Sequence, residues 1–275
     1  MLDAAGRAGA AWLAPALAPL AGSVWPEVAW RFSRLTRDGC PVELGFSTHT
    51  PAVRATLEVA GPECGAHARL DAACALLQAL GLPSPDAPRV AAWRALQAGA
   101  ALRWGSWVGL RHEAGKLRAK LYVELSPDHP PPWPGARTRM LGWDAATAGS
   151  EQYASLIAPD EASLRRLLAP LPARAPLLAV LSEVIGLPLP VALRWVSLGA
   201  SVAEGPRIAL FCRARAARGG AAALRDRFAR QPVYDRLLGP VADAALPDHG
   251  VLSFVPREEG TVEVRAGISA AALAG

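Results

Sequence analysis

Apolar and polar residues alternate in several stretches of the chain, and each stretch is divided by a turn of glycine, proline or polar residues. Alternation of this kind is typical of β-strands that bury one face, and two such runs around a turn predict a β-hairpin. We predict four hairpins, at residues 40–60, 103–125, 193–213 and 250–268. Their turns are expected at residues 48–51, 112–115, 203–206 and 257–260.

The segments between the predicted hairpins carry leucine and alanine at helical spacing. They predict helices at residues 66–80, 87–98, 160–168, 176–185, 221–230 and 233–244. Residues 8–26 have no charged side chain, but Pro15 and Pro19 interrupt them, so we expect a buried helical region rather than a membrane span or a targeting peptide. Residues 127–134 are interpreted as irregular, and residues 137–149 as a loop.

Hairpins that recur between helices indicate a repeated unit. A single hairpin buries too little apolar surface to be stable, so the hairpins are expected to join into one antiparallel sheet with the helices on one face. Closing that sheet gives an α+β fold, an antiparallel β-barrel of repeated αββα units ringed by helices. We predict that residues 1–275 form one such barrel domain, whose function is to be sought in the lumen.

The second strand of each predicted hairpin places basic and aromatic residues on one face, because strand residues two apart point the same way. These residues are Arg54, Arg118, Lys120, Tyr122, Arg207, Phe211 and Arg265. Cations that converge in a lumen repel one another unless an anion lies among them, and a diphosphate suits arginine and lysine. Aromatic rings beside it could shield a carbocation. The alternative is that these strands face solvent and the arginines form an ordinary polar surface.

Composition excludes several classes of protein. Hydrophobic residues make up 52% of the 275 residues and charged residues 19%, which excludes a disordered chain. The net charge of +5 is scattered, so it is weaker than the basic face of a nucleic-acid binder and equally compatible with a phosphorylated small ligand. Only two of the 29 basic residues are lysines, Lys116 and Lys120: either one is chemically required or both are ordinary surface residues.

Cysteine and histidine spacing predicts no metal site and no cofactor. The four cysteines form no CxxC pair, and the five histidines form no HExxH motif. We therefore expect free thiols in a reducing compartment, the cytoplasm. The sequence also contains no GxSxG motif, Walker loop or GxGxxG motif in the required strand and helix setting. We expect no nucleic-acid partner and no membrane association.

The first predicted hairpin reads Asp38-Gly-Cys-Pro-Val-Glu43, followed by Val53-Arg54-Ala-Thr-Leu-Glu58. It resembles the first hairpin of indole prenyltransferases of the dimethylallyltryptophan synthase type, the ABBA fold. The resemblance implies that Glu43 accepts a hydrogen bond from the indole N–H and that Arg54, eleven positions later, binds the diphosphate. The second hairpin contains Arg118-x-Lys120-x-Tyr122, which resembles the family's basic-x-Tyr signature for diphosphate binding and cation shielding.

The function implied by this resemblance is transfer of a dimethylallyl group from its diphosphate to an indole or another aromatic acceptor, a small molecule or a peptide. Its diphosphate would bind the cations Arg54, Arg118, Lys120, Arg207 and Arg265. Tyr122 and Phe211 would flank the allylic cation, and Glu43 would orient the acceptor. The register that puts Glu43 eleven positions before Arg54 also puts Trp107 opposite Arg118 in the lumen, so Trp107 and Phe254 could form an apolar acceptor pocket. The alternative for Trp107 is ordinary packing in the barrel. The base is open, with Glu43 a candidate. Because Asp226 and Asp235 stand apart, Mg²⁺ is expected to be unnecessary.

The sequence also departs from the family pattern. The family commonly has five hairpins where we predict four, Ala209 stands where a lysine is frequent, and Gly267 offers no ring. Two other classes of protein therefore stay open. One is a degenerate barrel that binds a hydrophobic or phosphorylated ligand without catalysis, and the other is an open sheet that serves as a protein-interaction domain.

Overall fold

The structure is a computed structural model. It describes residues 11–21, 33, 35–36, 38–61, 63–113, 115–195, 197–203, 207–213, 227–228 and 249–269. Ten antiparallel strands close into one barrel, in the order β1-β10-β9-β8-β7-β6-β5-β4-β3-β2. The predicted barrel architecture is therefore confirmed.

Each strand pairs with its neighbour in sequence, so that the barrel consists of five consecutive hairpins. The strands are β1 (Val42–Ser47), β2 (Arg54–Leu57), β3 (Ser106–Glu113), β4 (Lys116–Glu124), β5 (Ala136–Asp144), β6 (Ser150–Leu156), β7 (Leu198–Ala203), β8 (Ile208–Arg213), β9 (His249–Pro256) and β10 (Val262–Ser269). The hairpin of β5 and β6 was not predicted. It occupies the segment that we interpreted as a loop at residues 137–149, where a register shift between Thr138 and Met140 breaks the alternation.

Helices lie between the hairpins. They are a short 3-10 helix (Ala11–Leu13), α1 (Ala14–Ala21), α2 (Ala66–Ala79), α3 (Ala87–Gln97), α4 (Glu161–Leu167), α5 (Arg174–Ile185) and α6 (Leu189–Trp195). Four of the predicted helices agree with α2 to α5 to within two residues. The exception is α6, which lies where we predicted the third hairpin to begin. The predicted helices at 221–230 and 233–244 lie outside the described residues apart from 227–228.

Local signals explain where several helices begin and end. The Asp86 carboxylate accepts a hydrogen bond from the Arg89 N–H (2.9 Å) and caps α3. In the same way, Asp160 accepts from the Ser163 N–H (2.6 Å) and caps α4. Gly186 ends α5 with a φ of 73°, a left-handed conformation that favours glycine. These capping residues can be recognised in the sequence, and this is why the bounds of the helices could be predicted.

The hydrophobic core lies between the barrel wall and the helices. Outward-facing strand residues such as Leu44, Leu121 and Val264 are fully buried, as are Leu70 of α2 and Leu181 of α5. Each of these burials stabilises the fold by about 1.5–3 kcal/mol. Because alternate strand residues face opposite ways, the polar and aromatic positions are left on the lumen side. None of the helices that the structure describes is long and apolar enough to cross a membrane.

Candidate active site

A cavity of about 260 Å³ lies in the barrel lumen, and the residues on its walls come from most of the strands. Seven of the predicted site residues line it: Glu43, Arg54, Arg118, Lys120, Tyr122, Phe211 and Arg265. Four other lining residues have ionisable side chains and were not predicted: Arg111, Asp144, Glu151 and Tyr153.

Arginines from three adjacent strands form a row across one part of the cavity wall. Arg54 of β2 lies directly opposite Arg111 of β3, which lies directly opposite Arg118 of β4. Burial lowers the pKa of Arg54 to about 10, and repulsion from Arg265 and Arg111 lowers it as well. An anion placed among these guanidinium groups would relieve their repulsion, and the oxygens of a diphosphate match their paired N–H donors.

The carboxylate of Glu263 organises part of this cationic group. Arg265 donates two hydrogen bonds to it (2.7 and 2.9 Å), the Ser47 hydroxyl donates a third (2.5 Å), and the Arg54 guanidinium lies 3.8 Å away. Arg257 also donates to it. Burial raises the pKa of Glu263, but the hydrogen bonds and charges of Arg265, with Ser47 and Arg54, outweigh burial and bring it to about 2. Glu263 is therefore ionised and holds Arg265 and Arg54 together beside the cavity.

Aromatic rings form a second row, defined here as Trp107, Tyr122, Tyr153 and Phe211. Their ring centroids are 5.5 Å apart from Trp107 to Tyr122, 5.6 Å from Tyr122 to Tyr153 and 5.6 Å from Tyr153 to Phe211. Gly142 makes room for them, because a Cβ there would lie 2.9 Å from Tyr153 Cε2. We call this set the aromatic row. Its faces suit a carbocation, which an electron-rich ring attracts.

Lys120 points into the cavity beside this aromatic row, paired with a carboxylate. Its Nζ lies 2.5 Å from Glu151 Oε2, and the Tyr153 hydroxyl donates to the same oxygen at 2.9 Å. Burial raises the pKa of Glu151, but the charge and hydrogen bond of Lys120 outweigh burial and lower it. The sequence held a signal for this site, since Glu151-x-Tyr153 on β6 repeats the spacing of Lys120-x-Tyr122 on β4.

Glu43 occupies a recess that we call the glycine seat, formed by Gly250 of β9 and Gly267 of β10. A Cβ at Gly250 would lie 2.3 Å from Glu43 Oε2, and a Cβ at Gly267 would lie 2.3 Å from Glu43 Cδ. The β9–β10 register shifts between Ala266 and Ile268, at the seat itself. Bulges of this kind redirect side chains next to active sites.

Among the residues that the structure describes, the Glu43 carboxyl group in the glycine seat has no charged partner. Burial raises the pKa of Glu43 to about 7, and no described side chain hydrogen-bonds to it. A buried carboxyl group with free acceptor sites can accept an N–H or O–H from a ligand.

Three predicted site residues do not line the cavity: Arg207, Phe254 and Trp107. Arg207 precedes the first residue of β8, its side chain is 82% exposed, and its guanidinium lies 3.8 Å from the Glu258 carboxylate. Phe254 is fully buried among the core residues outside the barrel, because its neighbour Ser253 takes the lumen face. The predictions that Arg207 binds a diphosphate from the lumen and that Phe254 lines an acceptor pocket were therefore wrong.

The cause is the register of each hairpin. Glu43 and Arg54, eleven positions apart, both line the cavity. In the last hairpin Glu263 pairs with Val255, so a residue eleven before it lies on the opposite face. Trp107 keeps the predicted face through its stacking on Tyr122 but does not itself line the cavity.

No protein-family model matches the sequence, and no curated protein matches it. Several solved structures match its fold, including prenyltransferase PriB without ligand, with a TM-score of 0.70 at 16% identity over 97% of this chain and 90% of that chain. This is the aromatic prenyltransferase fold. A second ABBA barrel is 5-dimethylallyl tryptophan synthase from Streptomyces coelicolor in complex with DMASPP and Trp, with a TM-score of 0.68 at 13% identity and coverage of 99% and 93%. A third is 6-dimethylallyltryptophan synthase from Micromonospora olivasterospora, also with DMASPP and Trp, with a TM-score of 0.64 at 17% identity and coverage of 95% and 96%.

These ABBA barrels support the resemblance that the first two hairpins indicated. Five hairpins, rather than the four predicted, complete the match in architecture. Within the part of the chain that the structure describes, no three His, Cys, Asp or Glu side chains are grouped to hold a metal ion. Asp226 and Asp235 lie outside that part.

Proposed function

We propose that the protein is an aromatic prenyltransferase that moves a dimethylallyl group from its diphosphate to an indole or another aromatic acceptor. The observation that carries the proposal is the lumen, where an arginine row, the aromatic row and the Glu43 carboxyl group line one cavity. Two ABBA barrels with the same fold are complexes with DMASPP and Trp. The arginine row suits the diphosphate, the aromatic row suits the allylic cation, and the Glu43 carboxyl group suits the N–H or O–H of the acceptor.

The diphosphate would bind first, among Arg54, Arg111, Arg118 and Arg265. Guanidinium groups offer paired N–H donors that match phosphate oxygens, and the field of several cations stabilises the charge that builds up on a leaving diphosphate. These arginines supply the positive charge that a divalent ion would otherwise provide. We therefore propose that turnover does not require Mg²⁺.

Ionisation then breaks the bond between the allylic C1 and the diphosphate oxygen, and the electron pair stays with that oxygen. The allylic cation would lie against the rings of Tyr122, Tyr153 and Phe211, which attract it and keep water away. Tyr153 makes this shield wider than the sequence predicted. A water molecule that reached the cation would convert it into an alcohol, so the shield decides how much of the substrate is transferred.

The acceptor would stand against Glu43. Its carboxyl group accepts the acceptor's N–H or O–H, which makes the ring more nucleophilic, and a ring carbon attacks the cation to form the new C–C bond. The ring then loses a proton and regains aromaticity. A carboxyl group with a pKa of about 7 is suited to receive that proton near neutral pH, so Glu43 is our candidate base.

The cavity of about 260 Å³ favours a small acceptor, or one aromatic side chain of a peptide, over a bulky one. We also propose that the chain acts as one barrel domain and works in the cytoplasm, where its four free cysteines would stay reduced.

A second candidate function is a barrel that binds a prenyl diphosphate or a similar ligand without chemistry. The observation in its favour is the Lys120–Glu151 pair, which removes one cation from those available to a diphosphate. The two candidates differ in one result, the formation of a prenylated product.

The test is a transfer assay with dimethylallyl diphosphate, EDTA and a panel of acceptors: tryptophan, indole, tyrosine and a tryptophan-containing peptide. We expect a product that carries one dimethylallyl group in place of a hydrogen, detected by mass spectrometry. Glu43→Gln and Arg54→Ala should each lower kcat/KM at least 100-fold, whereas Arg207→Ala should retain it. Binding of a diphosphate analogue without product would favour the second candidate, and no binding would contradict both candidates. The open-sheet alternative is already excluded by the closed barrel.

A further inference from the structure

The β5–β6 hairpin brings a carboxylate into the most aromatic part of the lumen. Glu151 of β6 lines the cavity, and its Oε2 contacts both Lys120 Nζ (2.5 Å) and the Tyr153 hydroxyl (2.9 Å). The proposed reaction assigns no task to this carboxylate. A buried acidic group close to a diphosphate site would weaken anion binding, so its presence needs a separate reason.

Tyr153 lies in the middle of the aromatic row, between Tyr122 and Phe211, with ring centroids 5.6 Å from each. Its hydroxyl donates to an ionised carboxylate, because Lys120 keeps Glu151 deprotonated. Burial, with Tyr122 and Glu151, raises the pKa of Tyr153 well above its usual value, so Tyr153 remains a phenol and a donor. A charge-assisted hydrogen bond polarises the donor and increases the electron density of its ring.

Lys120 creates a second requirement. It stands two residues from Tyr122 on β4 and therefore on the same face, next to the rings that would hold an allylic cation. An unpaired ammonium group there would repel the cation. Glu151 cancels that charge at 2.5 Å and leaves the diphosphate to the arginine row on β2, β3 and β4.

We infer that Glu151 is a positioning residue for the cation: it cancels the charge of Lys120 and polarises Tyr153, so that the aromatic row accepts an allylic cation. This inference rests on the proposed function and deepens it. Glu151 acts through Tyr153 and Lys120 and does not itself take part in bond making or breaking. Its favourable effect is therefore on the affinity for a cation, whereas its charge does nothing to improve the affinity for the diphosphate.

The test is calorimetry with two probes that together mimic the ionised substrate, inorganic pyrophosphate and allyltrimethylammonium. The ammonium probe has no N–H group, so it cannot form a hydrogen bond with Glu151 directly. At saturating pyrophosphate, we expect Glu151→Gln to weaken binding of the ammonium probe about tenfold, the scale of a desolvated cation–π contact. Pyrophosphate itself should bind as tightly as before or more tightly, because a negative charge is lost.

Three further variants separate the two effects. Tyr153→Phe keeps the ring but removes its hydroxyl, and should weaken the ammonium probe less than Glu151→Gln does. The double variant should resemble Glu151→Gln alone, because the hydroxyl has no carboxylate left to polarise it. Glu151→Asp keeps the charge and should restore part of the affinity, which also controls for misfolding. Dimethylallyl alcohol, a neutral probe, should bind all variants alike.

Unchanged ammonium affinity in Glu151→Gln, with pyrophosphate bound, would overturn the inference and leave the proposed function standing. Additive losses in the double variant would overturn the part assigned to Tyr153. If pyrophosphate failed to bind the wild type, the proposed function would fail first and the inference with it. A ring-deuterium isotope effect on turnover that appeared only in Glu151→Gln would make Glu151 the base and contradict the positioning role.

Discussion

Two carboxyl groups on neighbouring strands of this barrel have opposite surroundings. Glu263 of β10 receives hydrogen bonds from Arg265, Arg257 and Ser47, and its pKa falls to about 2. Glu43 of β1, the strand paired with β10, lies in the glycine seat, and burial raises its pKa to about 7. The residue type is the same, and both carboxyl groups lie at the lumen of the barrel, with Glu263 fully buried and Glu43 partly buried.

The difference shows that partners, rather than burial, decide what a lumen carboxyl group can do. Glu263 is a permanent anion that holds arginines in place and has no free oxygen to offer a ligand. Glu43 has no charged partner within the described part of the chain, so its oxygens remain available to an acceptor and its proton is exchangeable near neutral pH. Two groups whose surroundings separate their pKa values in this way are suited to different tasks.

The largest effect is expected from removing the charge of Glu263. Glu263→Gln leaves Arg54, Arg257 and Arg265 close together without their shared anion, and we expect the free energy of unfolding to fall by about 3 kcal/mol. Urea denaturation measures this. Glu258→Gln is the matched control, because Glu258 is 96% exposed and its contact with Arg207 is 3.8 Å long. Equal losses in both variants would contradict the organising role of Glu263.

The pH dependence of stability should show the two carboxyl groups separately. The pKa of Glu43 in the folded protein is about 7, against a usual 4.5. Its contribution to the free energy of unfolding is therefore fully present below pH 4.5 and is lost as the pH rises through 7. Glu263 has the opposite pH dependence: its contribution to the free energy of unfolding is lost as the pH falls from 4.5 towards 2.

For Glu43, we expect the unfolding free energy of the wild type, relative to Glu43→Gln, to fall by roughly 2 kcal/mol between pH 4.5 and pH 8, after allowance for screening of this partly buried group. Urea denaturation across that range, at constant ionic strength, measures the difference. A flat difference would show that Glu43 has an ordinary pKa.

The glycine seat allows a sharper test of why Glu43 lies where it does. Gly267→Ala would place a Cβ 2.3 Å from Glu43 Cδ, and we expect a loss of about 1–2 kcal/mol in unfolding free energy. Gly45→Ala is the matched control, because Gly45 pairs with Gly267 across β1 and β10 and its Cβ would meet Arg54 Cβ at 3.4 Å, an ordinary contact. In a Glu43→Ala background, the loss of unfolding free energy caused by Gly267→Ala should disappear. A loss that persists would show that Glu43 is not the reason why position 267 needs a glycine.

The smallest effect is expected at Arg111, which the sequence analysis missed. It lies between Arg54 and Arg118 but also forms a 3.5 Å contact with Glu113, so part of its charge is already compensated. Arg111→Ala should weaken pyrophosphate binding about fivefold, as measured by calorimetry. A loss as large as that of Arg54→Ala would mean that Arg111 is a principal ligand.

Most of the fold could be predicted because strand alternation and helix caps are local signals. Four hairpins and four helices followed from them. The fifth hairpin could not be predicted, since β5 contains a register shift between Thr138 and Met140, and β6 is a polar strand whose Glu151 and Tyr153 face the lumen. A strand that buries polar groups in a cavity lacks the apolar alternation that identifies an ordinary half-buried strand.

Site residues were predicted correctly in hairpins with the same register as the first hairpin. They were predicted wrongly in a hairpin with a different register. Glu43, Arg54, Lys120 and Tyr122 line the cavity as expected. Phe254 does not, because the pairing of β9 and β10 reverses which residues face the lumen. The pKa shifts of Glu43 and Glu263 depend on burial and on contacts between separate strands, which no local pattern reports.

The most direct test of the account is calorimetric binding of a non-ionising thiolo analogue of dimethylallyl diphosphate. Wild type, Arg54→Ala, Lys120→Ala and Arg207→Ala would be compared at the same ionic strength. We predict micromolar binding to the wild type and Arg207→Ala, a loss of at least 100-fold in Arg54→Ala, and a smaller loss in Lys120→Ala because Glu151 already pairs with Lys120. No binding to the wild type, or equal losses in Arg54→Ala and Arg207→Ala, would contradict a diphosphate site in the lumen.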